Sequence, residues 1–338
     1  MSRADEPAVF AILGLAYGFV LQRSGFCFAR AAYEVILLRT REAANGIMAG
    51  LVTATVGFGA VVLVGLSSGP RPGEHLLRLP VGPETVAGGL LFGAGMAAAG
   101  MCAATTLVRI GEGYVVAWAT LAGIVCGAAL APATLFHGAH SGRPEDAVID
   151  HRWPALWAFA ATLLALVALW IALARTGRSP RSAPGPGRAV LSRALAAPAA
   201  GGIALGLINT LQMSLARPWT VGYGLALVPS LLWAAPGARF SGTAAAMLIL
   251  DGAMVLGAAT AGVGRGLRVR WPRRGRDAAR AFGGGVLMGA GIKLAHACNI
   301  GGIFSGIPSL APAAWLYLLA MLAGAWSGIR LLLRSGGP

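Results

Sequence analysis

The phrases GGLLFGAGMAAAGMC (residues 88–102) and GGVLMGAGIKLAHAC (residues 284–298) are two copies of one device. Aligned end to end, they agree at eight of fifteen positions: both leading glycines, a leucine, Gly-Ala-Gly, an alanine and the closing cysteine. A weaker echo precedes each copy. GLAYGFVLQRSGFCFARA (14–31) resembles GGIALGLINTLQMSLARP (201–218) with a one-residue slip, which sets Cys27 against Ser214 and Arg30 against Arg217. Self-similarity of this kind signals a repeated structural unit, so the chain is expected to fold as two related halves, 7–135 and 199–333.

The repeat lies in a chain of membrane composition. Hydrophobic residues fill 57% of the 338 positions, charged residues only 12%, and glycine occurs 50 times, well above its share of roughly 7% in soluble proteins. Nine apolar stretches recur, at about 7–22, 43–66, 86–101, 113–135, 155–174, 199–213, 240–262, 281–297 and 312–333. Crossing the hydrocarbon core takes about 20 residues. The pattern therefore predicts an all-α polytopic membrane protein of about nine transmembrane helices, a single membrane domain over 1–338. Five spans lie between the start of one half and the start of the other, an odd number, so the halves run through the bilayer in opposite directions. Segment 155–198 is left as a connecting helix and a basic linker.

A formal charge of +15 raises nucleic-acid binding as an alternative, but the arginines are in the wrong place for it. RTGRSPRSAPGPGR (175–188) and RGLRVRWPRRGRDAAR (265–280) each join two apolar spans, and short Lys/Arg-rich loops mark the cytoplasmic side. Counting outward puts the C-terminus in the cytoplasm, the N-terminus outside, and loop 136–154 with Glu145, Asp146 and Asp150 outside. The first apolar run has neither a basic leader nor a small-residue cleavage site, so no cleaved signal peptide is expected.

Inverted repeats in transport proteins place the substrate path near the midplane, between broken segments. The stretches after Cys102 and Cys298, AATTLVRIGEGY and NIGGIFSGIPSLAP, mix glycine, proline and polar residues. Backbone of that kind is tolerated at membrane depth only inside protein or beside a cavity, so re-entrant loops meeting near the centre are expected. QRSGFCFARA and QMSLARPW read as the other pair. Cys27, Cys102 and Cys298 thus fall at ends of broken segments, whereas Cys126, in LAGIVCGAAL, reads as a small buried hydrophobe.

Other chemistries find little support. There is no Cys-x-x-Cys, no zinc-site spacing, no Walker motif and no βαβ setting around GAGMAAAG. His137, His140 and His151 read as a polar outer loop rather than a metal site. No cofactor and no catalytic residue are expected. Gly14-x-x-x-Gly18 and Gly89-x-x-x-Gly93 read as helix-packing faces. Lys293, the only lysine, either attracts an anion or snorkels to the interface; Asp251, in MLILDGAMV, either satisfies a neighbouring helix, the reading favoured by the sequence, or carries protons. Arg30, Arg109 and Arg217 are loop-side anchors or parts of an anion funnel, and Asn299, Gly301 and Gly302 complete the candidate path after Cys298.

With these residues assembled, the chain resembles the YeeE/YedE family of bacterial inner-membrane thiosulfate transporters. The likeness rests on QRSGFCFARA, GLLFGAGMAAAGMCAATTLVRIGEGY, GLINTLQMSLARPWTVGYG and GGGVLMGAGIKLAHACNIGGIFSGIPSL. It implies an hourglass of nine spans with four loops dipping to the centre, thiosulfate as the imported anion, and a path lined by Cys27, Cys102 and Cys298. By the same analogy a small cytoplasmic sulfur-carrier protein is a further partner. Departures are the residue after Cys102, where glycine is more usual, and Lys293 and His296, where small residues are commoner.

The expected mechanism is a relay past neutral thiols, since a thiolate would repel the anion. S–H groups are weak donors suited to a soft sulfur, and a path must bind loosely enough to release. Alternatives that stay open are another sulfur or selenium species as cargo, a sulfur-transfer or redox protein forming a cysteine persulfide, and a subunit that only anchors a soluble enzyme.

Overall fold

A computed structural model of the chain describes residues 6–64, 79, 81–131, 152–176, 198–215, 218–232, 242–263, 269–272 and 274–334. The elements in order are α1 (Glu6–Ser24), α2 (Phe28–Tyr33) running into a π-helical turn (Glu34–Leu38), α3 (Glu42–Val64), α4 (Pro83–Ala99), α5 (Ala103–Gly111), α6 (Val115–Leu130) and α7 (Arg152–Thr176). They continue with α8 (Pro198–Leu215), α9 (Val221–Leu232), α10 (Gly242–Val263), α11 (Gly275–Ala295), a second π-helical turn (Asn299–Phe304) and α12 (Pro312–Arg334). No strand occurs among the described residues; one isolated bridge joins Tyr114 to Arg270.

Each of the nine apolar stretches coincides with a long helix: α1, α3, α4, α6, α7, α8, α10, α11 or α12. Among the described residues six stretches are long and apolar enough to cross a membrane: Pro7–Leu38, Glu42–Val64, Pro83–Gly111, Leu156–Arg175, Ala245–Val263 and Pro312–Arg334. Outward faces carry Ile12, Val56, Trp118, Leu164, Leu207, Leu256 and Leu319, all exposed. Apolar side chains turned outward on several helices are what a lipid solvent selects, and the protein is a multi-pass all-α membrane protein.

Between helices the contacts run through glycine. Gly14 and Gly18 of α1 lie against the Leu250 and Met254 backbone of α10; Gly202 and Gly206 of α8 lie in the same way against Gly46 and Gly50 of α3. Gly89 and Gly93 of α4 seat Ala320 and Met321 of α12, while Gly285 and Gly289 of α11 seat Thr120 and Ile124 of α6. A side chain at any of these positions would collide with the facing backbone or side chains. In membranes, where helix association lacks a hydrophobic drive, close backbone approach supplies the dispersion energy instead. The α4–α11 pair is antiparallel, since Gly88 meets Gly291 and Ala295 whereas Gly95 meets Gly284 and Met288. At the edge, α7 leans on α3, where the Trp170 indole donates to Asn45 Oδ1 at 3.1 Å.

Candidate functional site

Three of the long helices stop in the same way. α1 ends with Gly25 at φ 63°, α4 with Gly100 at φ 70° and α11 with His296 at φ 51°. Each of these left-handed residues stands two positions before a cysteine, in GFC, GMC and HAC. The cysteine itself is extended (φ −157° at Cys27, −94° at Cys102, −118° at Cys298) and starts the next short helical piece: α2, α5 or the turn Asn299–Phe304. A left-handed residue is the standard helix stop, normally glycine because it lacks a Cβ. The expected breaks are thus real, and all three thiols sit at them, buried.

Two of the breaks meet. The Cys27 and Cys102 side chains are close neighbours within electrostatic reach of each other, and the Thr105 hydroxyl lies 3.3 Å from the Cys102 sulfur. Ser24 holds the α1 end by donating to the Val20 carbonyl at 2.8 Å, and its oxygen accepts from Phe26 N at 3.3 Å. The Tyr33 hydroxyl donates to the Ala97 carbonyl at 2.6 Å, which fixes the piece after Cys27 to the end of α4.

Cys298 belongs to a second station. Its sulfur accepts from Gly222 N of α9 at 3.2 Å and from Gly301 N at 3.5 Å. A Cβ on Gly222 would lie 2.8 Å from Cys298 Cβ and 3.1 Å from its sulfur, so only glycine allows the approach. The residue that precedes α9, as Cys27 precedes α2, is Thr220, beside Gly301 and 3.7 Å from Met247 Sδ. Ser214, which the alignment set against Cys27, is inside α8 and donates to the Leu211 carbonyl. The slip misplaced it because the break after α8 comes later along the chain than the break after α1.

Sequence reasoning missed the residues that fasten this station. Asn209 accepts from Trp219 N at 2.9 Å and donates to Ser305 Oγ at 3.0 Å, while Ser305 Oγ donates to the Trp219 carbonyl at 2.7 Å. Trp219 stacks on Tyr17 (centroids 3.9 Å apart) and meets Phe304 edge-on at 6.0 Å. An asparagine in the apolar run GLINTLQ was the available signal, because a polar group in a span needs a partner.

Tyr317 of α12 ties the two stations together. It is fully buried, its ring packs against the space left by Gly302, and its hydroxyl has no hydrogen-bond partner among the described residues. The phenol lies within electrostatic reach of both the Cys298 and the Cys102 sulfurs. Asn299 is buried nearby, donating to Met96 Sδ at 3.1 Å, its Oδ1 unpartnered among the described residues. Gly301 and Gly302 thus provide room, the one beside Thr220 and the other beside Tyr317.

The charged candidates divide. Arg30 donates to Glu34 Oε1 at 2.6 Å and approaches Glu42 at 3.7 Å, and Arg109 pairs with Glu112 at 3.5 Å and lies over the Tyr114 ring. These two are structural pairs in the described chain. Arg217, the basic linker beyond Thr176 and the loop histidines lie outside the described residues. Lys293, half-buried on α11, makes no ion pair among them. Asp251 does not satisfy a neighbouring helix as expected: it is buried, faces Gly224, and neither carboxylate oxygen has a hydrogen-bond partner among the described residues. Cys126 is exposed rather than buried, because α6 turns Trp118, Ala122, Cys126 and Leu130 outward at helical spacing.

The chain is similar along nearly its whole length to proteins named thiosulfate transporter TsuA. It is 28% identical to that of Spirochaeta thermophila, over 96% of this chain and 98% of the relative, and 25% identical to that of Escherichia coli, over 94% and 92%. A segment covering 25% of the chain is 36% identical to the probable transporter YedE of Salmonella typhimurium, over 22% of that protein. The sequence model described as sulphur transport matches residues 23–327. With thiols gathered at helix breaks inside a multi-pass bundle, and with that match spanning most of its length, the chain belongs to the sulphur-transport family.

Proposed function

We propose that the protein imports thiosulfate, passing the anion from a station at Cys298 to one at Cys27 and Cys102. The observation that carries this reading is the convergence of three helix breaks, each headed by a buried thiol, with Tyr317 within reach of both stations. The relatives' name gives the anion. Thiosulfate offers a large soft sulfur to S–H groups and oxygens to stronger donors. Weak sulfur contacts suit a path that must release its cargo, and buried donors without acceptors among the described residues, such as the Tyr317 hydroxyl and the Trp219 indole, are available for the oxygens.

In this reading the chain is two inverted halves, 7–135 and 199–333, joined by 155–198. The matching glycine contacts of α1 on α10 and α8 on α3, and of α4 on α12 and α11 on α6, support it, as does the antiparallel α4–α11 pair. The basic loops orient it in a bacterial inner membrane with the C-terminus in the cytoplasm. Cys298 then belongs to the outward-facing dips and the Cys27–Cys102 pair to the inward-facing ones, where a small cytoplasmic sulfur-carrier protein would receive the product. The protein acts as a transporter and not as an enzyme. Its electrical task is considerable, since moving a dianion inward costs about 4.6 kcal/mol per 100 mV of inside-negative potential.

Labelled thiosulfate uptake into proteoliposomes tests the reading. The wild type is expected to take it up, and Cys298→Ala and Cys102→Ala, still monodisperse in detergent, to lose most of that uptake. Full uptake by a variant lacking all three thiols defeats the relay; no uptake by the wild type defeats the substrate assignment.

A further inference from the structure

Asp251 is the one ionisable residue of α10, and nothing in the relay uses it. It sits near the middle of an apolar span at 3% exposure, with both carboxylate oxygens unpartnered among the described residues. It occupies the space that Gly224 leaves on α9: a Cβ there would strike its Oδ2. That is two residues beyond Gly222, whose N–H donates to the Cys298 sulfur, and Asp251 is within electrostatic reach of that thiol. An unpaired charge in such a place is costly, and a carboxylate beside the route of a dianion repels it as well.

The helices packed on α10 are α1, α5 and α9. Their titratable or charged residues among those whose side chains are described are Tyr17 and Arg23 of α1 and Arg109 of α5; Tyr223 is the one such residue in the sequence of α9. Arg109 is occupied by Glu112, and Tyr17 is stacked on Trp219. Cys298 is within electrostatic reach of Asp251. A metal cation here would need a shell of about six oxygens, whereas the carboxylate faces Gly224 and has no hydrogen-bond partner among the described residues.

We propose that Asp251 is a proton site that couples uptake of the anion to proton entry. The inference rests on the transport reading and adds its driving force. A proton taken up by the carboxylate from the outer side neutralises Asp251 while the dianion occupies the Cys298 station, and is released to the cytoplasm with the anion. One proton per thiosulfate halves the charge that is moved and with it the electrical cost.

The test uses the full chain in proteoliposomes with the membrane potential clamped at zero and an inside-alkaline gradient of about one pH unit. One pH unit is a factor of ten in proton activity, so the wild type is expected to accumulate thiosulfate about tenfold per coupled proton, with an entrapped pH dye recording acidification. Asp251→Asn is expected to equilibrate thiosulfate to about the outside concentration and no further. Wild-type uptake without accumulation or dye response overturns the proposal whether or not the variant folds, and leaves the thiosulfate reading standing. Gradient-driven accumulation by Asp251→Asn equal to the wild type overturns the assignment to this residue. Absence of any wild-type uptake, by contrast, is the failure of the transport reading itself.

Discussion

Tyr317 is the side chain whose role is easiest to isolate, because its ring and its hydroxyl have separate environments. The ring fills the space beside Gly302 and lies 6.2 Å from Phe92, and the hydroxyl, within electrostatic reach of two thiols, is left without a partner among the described residues. Tyr317→Phe keeps the ring and removes only the donor. A hydrogen bond to a charged group is worth about 1.5–3 kcal/mol, so uptake at low thiosulfate should fall about tenfold or more while thermal stability changes little; unchanged uptake would remove the phenol from the path. Gly222 offers the steric counterpart. Gly222→Ala must push Cys298 aside and is expected to reduce uptake as strongly as Cys298→Ala. Gly252, whose added Cβ meets nothing within 4 Å, serves as the control: Gly252→Ala should be neutral or stabilising by about 0.5–1 kcal/mol, read from the melting temperature in detergent.

The helix breaks obey one local rule, in which a left-handed residue is followed two positions later by an extended cysteine. Two breaks use glycine, and the third uses His296 at φ 51°. A non-glycine residue there costs roughly 1–2 kcal/mol, which glycine would relieve and a β-branched residue would worsen. His296→Gly is accordingly expected to hold or raise the melting temperature. His296→Val should lower it and impair uptake by misplacing Cys298. Equal melting temperatures for the two variants would mean that the backbone conformation at 296 does not matter.

Across the molecule, the glycine seams hold eight of the long helices in matched pairs, with α1 on α10 and α8 on α3, and α11 on α6 balanced by α4 on α12. α4 and α11 run antiparallel between the halves. If the halves are inverted as proposed, residues near the ends of α6 and α12 face opposite sides. Single cysteines at Leu130 and Arg334, in a chain otherwise lacking thiols, should then label from outside and inside respectively with an impermeant maleimide. Labelling of both from one side would exclude the arrangement.

Helix class, the apolar stretches and the three breaks were legible along the chain. Each is a local property: apolar length sets what can cross a bilayer, and GFC, GMC and HAC carry their stop signals within three residues. Position in space was not. That Cys27 pairs with Cys102 while Cys298 receives Gly222, that Arg30 and Arg109 are bound up with Glu34 and Glu112, and that Cys126 faces outward follow from helix packing. The same holds for the Tyr317 hydroxyl and the Asp251 carboxylate, which have no hydrogen-bond partner among the described residues. Composition and periodicity fix what a segment prefers alone, whereas a buried polar group's partners depend on which backbones approach closely enough to exclude others. In this bundle that is decided by glycines on distant helices.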